Sequence, residues 1–148
     1  DGKIRLIDFG SALEAHTPVT KDISASPGYA APEQLSREIE KRCVDVRTDV
    51  FGLGRTLYAL LCGADLSRPP YAFASLKSRC PQVSDELERI IMRATAREPE
   101  ARFQTMEAFL QVLLALQEAC RVDDTGKKEP FWQKANSSQT CRTRLQSQ

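Results

Sequence analysis

Asp8-Phe9-Gly10 directly follows the polar–apolar alternation Lys3-Ile4-Arg5-Leu6-Ile7. A carboxylate at the end of a strand, fixed by packing, can hold a divalent metal, although the tripeptide by itself reads more readily as a solvent-facing turn. The stretch that follows is rich in hydroxyls: Ser11, Thr17, Thr20, Ser24 and Ser26. Phosphate added to such a loop brings charge that pairs with Arg and orders the backbone. Three further segments stand out downstream: Pro27-Gly28-Tyr29-Ala30-Ala31-Pro32-Glu33, Asp49-Val50-Phe51-Gly52-Leu53-Gly54 and Glu98-Pro99-Glu100-Ala101-Arg102-Phe103. His16 is the only histidine. No Ser, Cys or second His is arranged around it, so a solvent-exposed loop residue is the expectation.

Composition narrows the chemistry. A chain of 148 residues with 41% apolar side chains fits one compact domain with a real core. The net charge of +1 gives no global pull toward nucleic acid or an anionic membrane. Residues 121–148 carry six Lys+Arg against three Asp+Glu, a slightly basic tail on a slightly acidic body. The five cysteines, at 43, 62, 80, 120 and 141, are odd in number and form no CxxC unit. Reduced thiols in a cytoplasmic protein fit better than a zinc site or a disulfide framework. No apolar run reaches membrane-spanning length and no signal peptide is visible.

The elements that must position these residues can be read from pattern. Asp1-Gly2 is a tight-turn signal leading into a short strand, which predicts a partner strand before Asp1 and a chain that is part of something longer. Residues 8–33 lack periodicity and contain Pro18, Pro27 and Pro32, as a long functional loop does. Thr48 is positioned to cap a helix containing Val50, Phe51, Leu53, Leu57, Tyr58, Leu60 and Leu61, with Gly63 at its end. Apolar residues surround most of that helix, so it should be buried and central. Residues 64–83, with Pro69, Pro70 and Pro81, predict an extended connection with at most a turn of helix. Ser84 caps a helix whose face is Leu87, Ile90, Ile91 and Ala94, ending before Pro99. Thr105 caps a last helix with Met106, Phe109, Leu110, Leu113 and Leu116 on one side. After Cys120 the chain turns polar, Phe131 and Trp132 excepted, and reads as disordered. No internal repeat is visible.

The order and spacing of the four motifs, over roughly residues 1–117, resemble the second half of a protein kinase domain. The GYAAPEQ variant, the short Pro-Pro connection and the PEARF segment are similar to bacterial serine/threonine kinases. The resemblance implies a mainly α fold: the helical C-terminal lobe of the kinase-like fold, with a short N-terminal strand remnant and a long activation-segment loop. It implies a partial kinase domain over 1–120 (activation segment 8–33, helical lobe 34–120) and a polar tail over 121–148. Asp8 matches the magnesium-holding carboxylate. Phe9 matches the ring that packs at the lobe interface, and Gly10 the residue that lets the backbone turn. Ser26, Gly28 and Tyr29 fall in the surface that receives the substrate hydroxyl. The family's usual Gly-Thr is Ala25-Ser26 here, which keeps the hydroxyl and gives up access to positive φ. Thr17, Thr20, Ser24 and Ser26 are candidate phosphosites. Glu33 and Arg102, 69 residues apart, match a buried ion pair of architectural role. Asp49 matches a carboxylate that accepts backbone hydrogen bonds from the catalytic loop.

Residues 1–148 contain no Gly-rich phosphate loop, no strand lysine with its helix glutamate, and no HRDxxxxN. The resemblance therefore implies that the catalytic Asp lies upstream and that no catalytic residue lies within this stretch. The expected function is phosphoryl transfer from ATP, with Mg2+, to a protein Ser or Thr, by a longer parent. This stretch alone, lacking the N-terminal half of the domain, should be inactive. Expected partners are a protein substrate and that missing half, with no nucleic acid and no membrane segment. The rival from another class is a pseudokinase scaffold that binds partners without chemistry, against which the intact Asp8-Phe9-Gly10 weighs. A free-standing helical binding module is a third reading, disfavoured by the unpaired hairpin turn.

Overall fold

The computed structural model describes residues 4–7, 9–12, 14, 26–35, 44–66 and 74–120. Five helices follow one another: α1 (Pro32–Leu35), α2 (Val46–Cys62), α3 (Leu76–Arg79), α4 (Asp85–Ala94) and α5 (Met106–Cys120). Short 3-10 turns lie at Phe9–Ser11 and Pro99–Ala101. The fold is mainly α, and the described residues contain no strand.

α2 begins earlier than its sequence suggests. The cap is Asp45, not Thr48: Asp45 is extended (φ −141°, ψ −170°) and its carboxylate accepts the Arg47 backbone N–H at 2.8 Å. Thr48 already lies one turn inside, its N–H bonded to the Asp45 carbonyl at 2.9 Å. An Asp at this position satisfies one of the orphan N–H groups of the first turn. At the other end Gly63 takes the left-handed conformation (φ 59°), which a side chain would resist, and closes the helix as expected.

α2 is the hub, packing against α3, α4 and α5. One core cluster gathers Tyr58, Leu76, Cys80, Val83, Leu87 and Ile91; a second gathers Val50, Ile90, Ala94, Phe103 and Phe109. Each large side chain withdrawn this way contributes about 1.5–3 kcal/mol. The centrality of α2 is as expected; its enclosure is not complete, because Leu53 and Leu60 remain exposed. They point about 110° around the helix from the mean direction of Val50, Gly54 and Tyr58, which face the core.

α4 carries its expected cap, Ser84 Oγ accepting from Leu87 N at 3.2 Å, and Leu87, Ile90, Ile91 and Ala94 are all buried. α5 is capped by Thr105 Oγ1, which accepts from Ala108 N at 3.1 Å. Its inward face is Met106, Phe109, Val112, Leu113 and Leu116, whereas Leu110 is exposed. Residue 110 sits about 100° around the helix from Phe109, outside the stripe that 106, 109, 113 and 116 define. Among the described residues of the 64–83 connection, the only helix is the single turn α3.

The short strand does not form among the described residues. Ile4–Ile7 adopt no regular structure and lie in solvent. Alternation sets which face a strand would bury, but a strand exists only through a ladder partner, and no described residue supplies one. The polar tail and Cys120 onward to residue 148 fall outside the described side chains.

Candidate functional site: the end of the 8–33 loop and its clamp

Arg102 follows the Pro99–Ala101 turn and is fully buried, an arrangement that demands a partner for every polar hydrogen. All five N–H groups find one. Nη1 and Nη2 donate to Glu33 Oε1 and Oε2 at 2.7 and 2.8 Å, a bidentate fork. Nη1 also donates to the Arg47 carbonyl at 3.1 Å, Nη2 to the Arg97 carbonyl at 2.9 Å and Nε to the Ala96 carbonyl at 2.8 Å. The guanidinium lies over the Phe51 ring, 4.8 Å from its centroid.

Glu33, on α1, is buried on its side of the pair. Thr48 Oγ1 donates to its Oε1 at 2.8 Å. Burial by itself would push the Glu33 carboxyl up. The hydrogen bonds from Arg102, its own backbone N–H and Thr48, with the charge of Arg102, outweigh that and hold it below the usual carboxylate value. α1 is thereby bolted to α2 and to the segment before α5. Gln34 Oε1 accepts the Ala31 N–H at 2.9 Å and tightens the entry to α1.

Immediately before α1, Ser26–Ala30 form a turn in which the Ser26 carbonyl accepts the N–H groups of Tyr29 and Ala30 at 2.8 and 2.9 Å. Ser26 is exposed and Gly28 is buried. A Cβ on Gly28 would overlap the carbonyl oxygen of Leu66, so only glycine lets these two backbones meet. Arg55 Nε donates to the Gly28 carbonyl at 2.7 Å. Arg55 is itself buried within α2, 5.7 Å from the Tyr58 ring centroid. Burial pushes its pKa down and the nearby Tyr58 and Tyr29 push back; an arginine stays charged under either influence.

The structure brings Ser26, Gly28, Tyr29, Glu33 and Arg102 into one connected region. Asp49 sits in the first turn of α2 with its side chain exposed. The protein wall beside it still pushes its carboxyl above the usual value. Phe9 and Gly10 are exposed, in a turn closed by Ala12 N to Phe9 O at 3.1 Å. Asp8, Thr17, Thr20, Ser24 and His16 lie outside the described residues. Among the described residues no three His, Cys, Asp or Glu side chains converge as a metal site. Cys62 and Cys80 are reduced, and the Cys80 thiol donates to the Leu61 carbonyl at 3.3 Å.

Sequence reading missed Thr48, Phe51 and Arg55 as parts of this region. Arg55 left one signal: it is a charge on the same side of α2 as Phe51 and Tyr58, four and three positions away.

A family profile described as "Protein kinase domain" matches residues 1–135, and the chain belongs to that family. It is 37% identical to serine/threonine-protein kinase Pkn1 of Myxococcus xanthus over 138 residues, covering 80% of this chain and 19% of the relative. It is 33% identical to tyrosine-protein kinase MasK of Myxococcus xanthus (strain DK1622), covering 76% of this chain and 19% of the relative. It is 30% identical to serine/threonine-protein kinase PknB of Mycobacterium leprae (strain TN), covering 69% of this chain and 18% of the relative. The chain thus spans about a fifth of the length of these relatives. No helix among the described residues is long and apolar enough to cross a membrane.

Proposed function

We propose that this chain is the acceptor-side, helical part of a bacterial-type protein serine/threonine kinase that works in the cytoplasm. The observation that carries the reading is the clamp. Glu33 and Arg102 fix α1 by a buried bidentate bridge, and the turn that displays Ser26 is built directly onto α1. A rigid platform next to an exposed hydroxyl-bearing turn suits a surface against which an acceptor peptide is laid, where orientation supplies much of the rate.

The division of labour follows from which residues are present. Ser26, Gly28 and Tyr29 receive the peptide; Glu33, Thr48 and Arg102 hold that surface in place. Asp8 is a hard oxygen donor of the kind Mg2+ takes when one or two carboxylates and the nucleotide's phosphates share the ion. Bound there, the metal would neutralise charge on the transferring phosphoryl group. The phosphate-binding loop, its lysine and the HRDxxxxN base have no counterpart in residues 1–148, so on this reading they come from residues outside the chain. A hydroxyl at Ser26 and the names of Pkn1 and PknB favour Ser/Thr over Tyr as acceptor; MasK makes the point one to test.

The experiment is phosphate transfer from labelled ATP with Mg2+ by the full-length gene product, followed by phosphoamino-acid analysis. Phosphoserine and phosphothreonine are expected, with Asp8→Asn lowering the rate by several orders of magnitude and leaving the melting temperature nearly unchanged. Phosphotyrosine alone would overturn the acceptor assignment. A folded wild-type protein that transfers nothing would make it a pseudokinase.

A further inference from the structure

The buried arginine of α2 has a use that the clamp does not explain. Arg55 lies in the helix interior, 3% exposed, and its Nε reaches out of α2 to the carbonyl of Gly28. That carbonyl belongs to the middle of the turn that begins at Ser26. Gly28 is also confined by the Leu66 backbone, which occupies the place a side chain would take. The turn is therefore held at one peptide between two elements distant in sequence, α2 and the connection after it. Arg55 is in turn braced by the Tyr58 ring, whose hydroxyl donates to the Ala74 carbonyl at 3.2 Å. A guanidinium is a planar, pre-organised donor that loses little freedom on forming such a bond, which suits it to setting the position of a backbone peptide.

We infer that Arg55 is a positioning residue for the acceptor: by fixing the Gly28 peptide it sets where the Ser26–Ala30 turn meets the substrate polypeptide beside its Ser or Thr. The inference rests on the kinase reading above. Arg55 contacts the Gly28 peptide and the Tyr58 ring, and it is separate from the Glu33–Arg102 bridge, which anchors α1 rather than the turn. Arg55 acts through the turn, so its loss should be felt as poorer acceptor binding with the nucleotide side unaffected.

The test is steady-state kinetics on the full-length gene product, with the peptide it phosphorylates fastest from a Ser/Thr peptide library as the acceptor. Arg55→Met removes the donor and keeps much of the volume; Arg55→Lys keeps a charge and a donor on a flexible stem without the planar fork. Arg55→Met should raise the peptide KM about tenfold or more, and Arg55→Lys about threefold, with the ATP KM and kcat within about twofold of wild type. Should Arg55→Met fail to fold, Arg55→Lys decides by the same criterion. A peptide KM within twofold of wild type in the folded variants overturns the inference. So does a parallel loss in kcat and ATP KM, which would mark Arg55 as a general structural residue. A wild-type protein without transfer activity would instead sink the kinase reading itself, and the two failures are told apart by that control.

Discussion

The 8–33 loop ends in two unlike ways. At its start, Phe9–Ala12 make one local turn, and Phe9 is 70% exposed, after the still more exposed Ile4, Leu6 and Ile7. At its finish, Ser26–Leu35 are tied by Arg55, Leu66, Thr48 and Arg102, contacts that reach from 15 to 69 residues along the chain. The finish is fixed by helices that this chain supplies. The start presents apolar side chains that no described residue covers. One stretch of chain thus pairs a finish anchored by long-range contacts with a start that no described residue covers.

The largest expected effect is at the fixed end. Arg102→Ala strands the Glu33 carboxylate in a buried site and should destabilise the full-length gene product by about 3–5 kcal/mol in denaturant unfolding. A loss below 1 kcal/mol would mean that the clamp is ornamental. Next comes Gly28→Ala. Its Cβ would have to displace the Leu66 backbone, and a cost of about 1–3 kcal/mol is expected; an unchanged midpoint would mean that the turn and the connection do not meet.

The clamp also predicts a pH response. The Glu33 carboxyl is held below its unfolded value, so its contribution is complete above the ordinary carboxylate pKa and is lost as pH falls through the lower, folded one. Urea midpoints should be level above about pH 5.5 and fall in acid, since unfolded Glu titrates near about 4.3. The fall should be shallower in Glu33→Gln, and identical acid limbs in the two proteins would remove Glu33 from the account. The smallest effect belongs to the open end. In the 148-residue chain, Phe9→Ala should move stability by no more than about 0.5 kcal/mol. A larger loss would show that Phe9 is packed after all and would erase the contrast between the two ends.

Much of this was legible in the sequence, for identifiable reasons. The α4 face and the Ser84, Thr105 and Gly63 ends follow from local chemistry that no tertiary contact overrides. Pairing Glu33 with Arg102 was beyond composition or periodicity at that separation and came only through the family resemblance. What stayed hidden depended on three-dimensional partners. Thr48 looked like a cap because its type suits one, yet Asp45 lay closer to the helix start and Thr48 was taken by Glu33. Leu110 and Leu60 are apolar but fall outside the buried stripes. Ile4–Ile7 carry strand alternation with nothing among the described residues to pair with.

The central claim is that the loop's finish is secured by a direct Glu33–Arg102 interaction, and a double-mutant cycle measures that interaction itself. Denaturant unfolding of the full-length gene product would be compared for wild type, Glu33→Ala, Arg102→Ala and the double variant. The double variant should cost less than the sum of the singles by at least about 1 kcal/mol, because the second substitution removes the partner that the first left stranded. Strict additivity would show that the two residues do not act on each other, and the end of the loop would then lack this anchor.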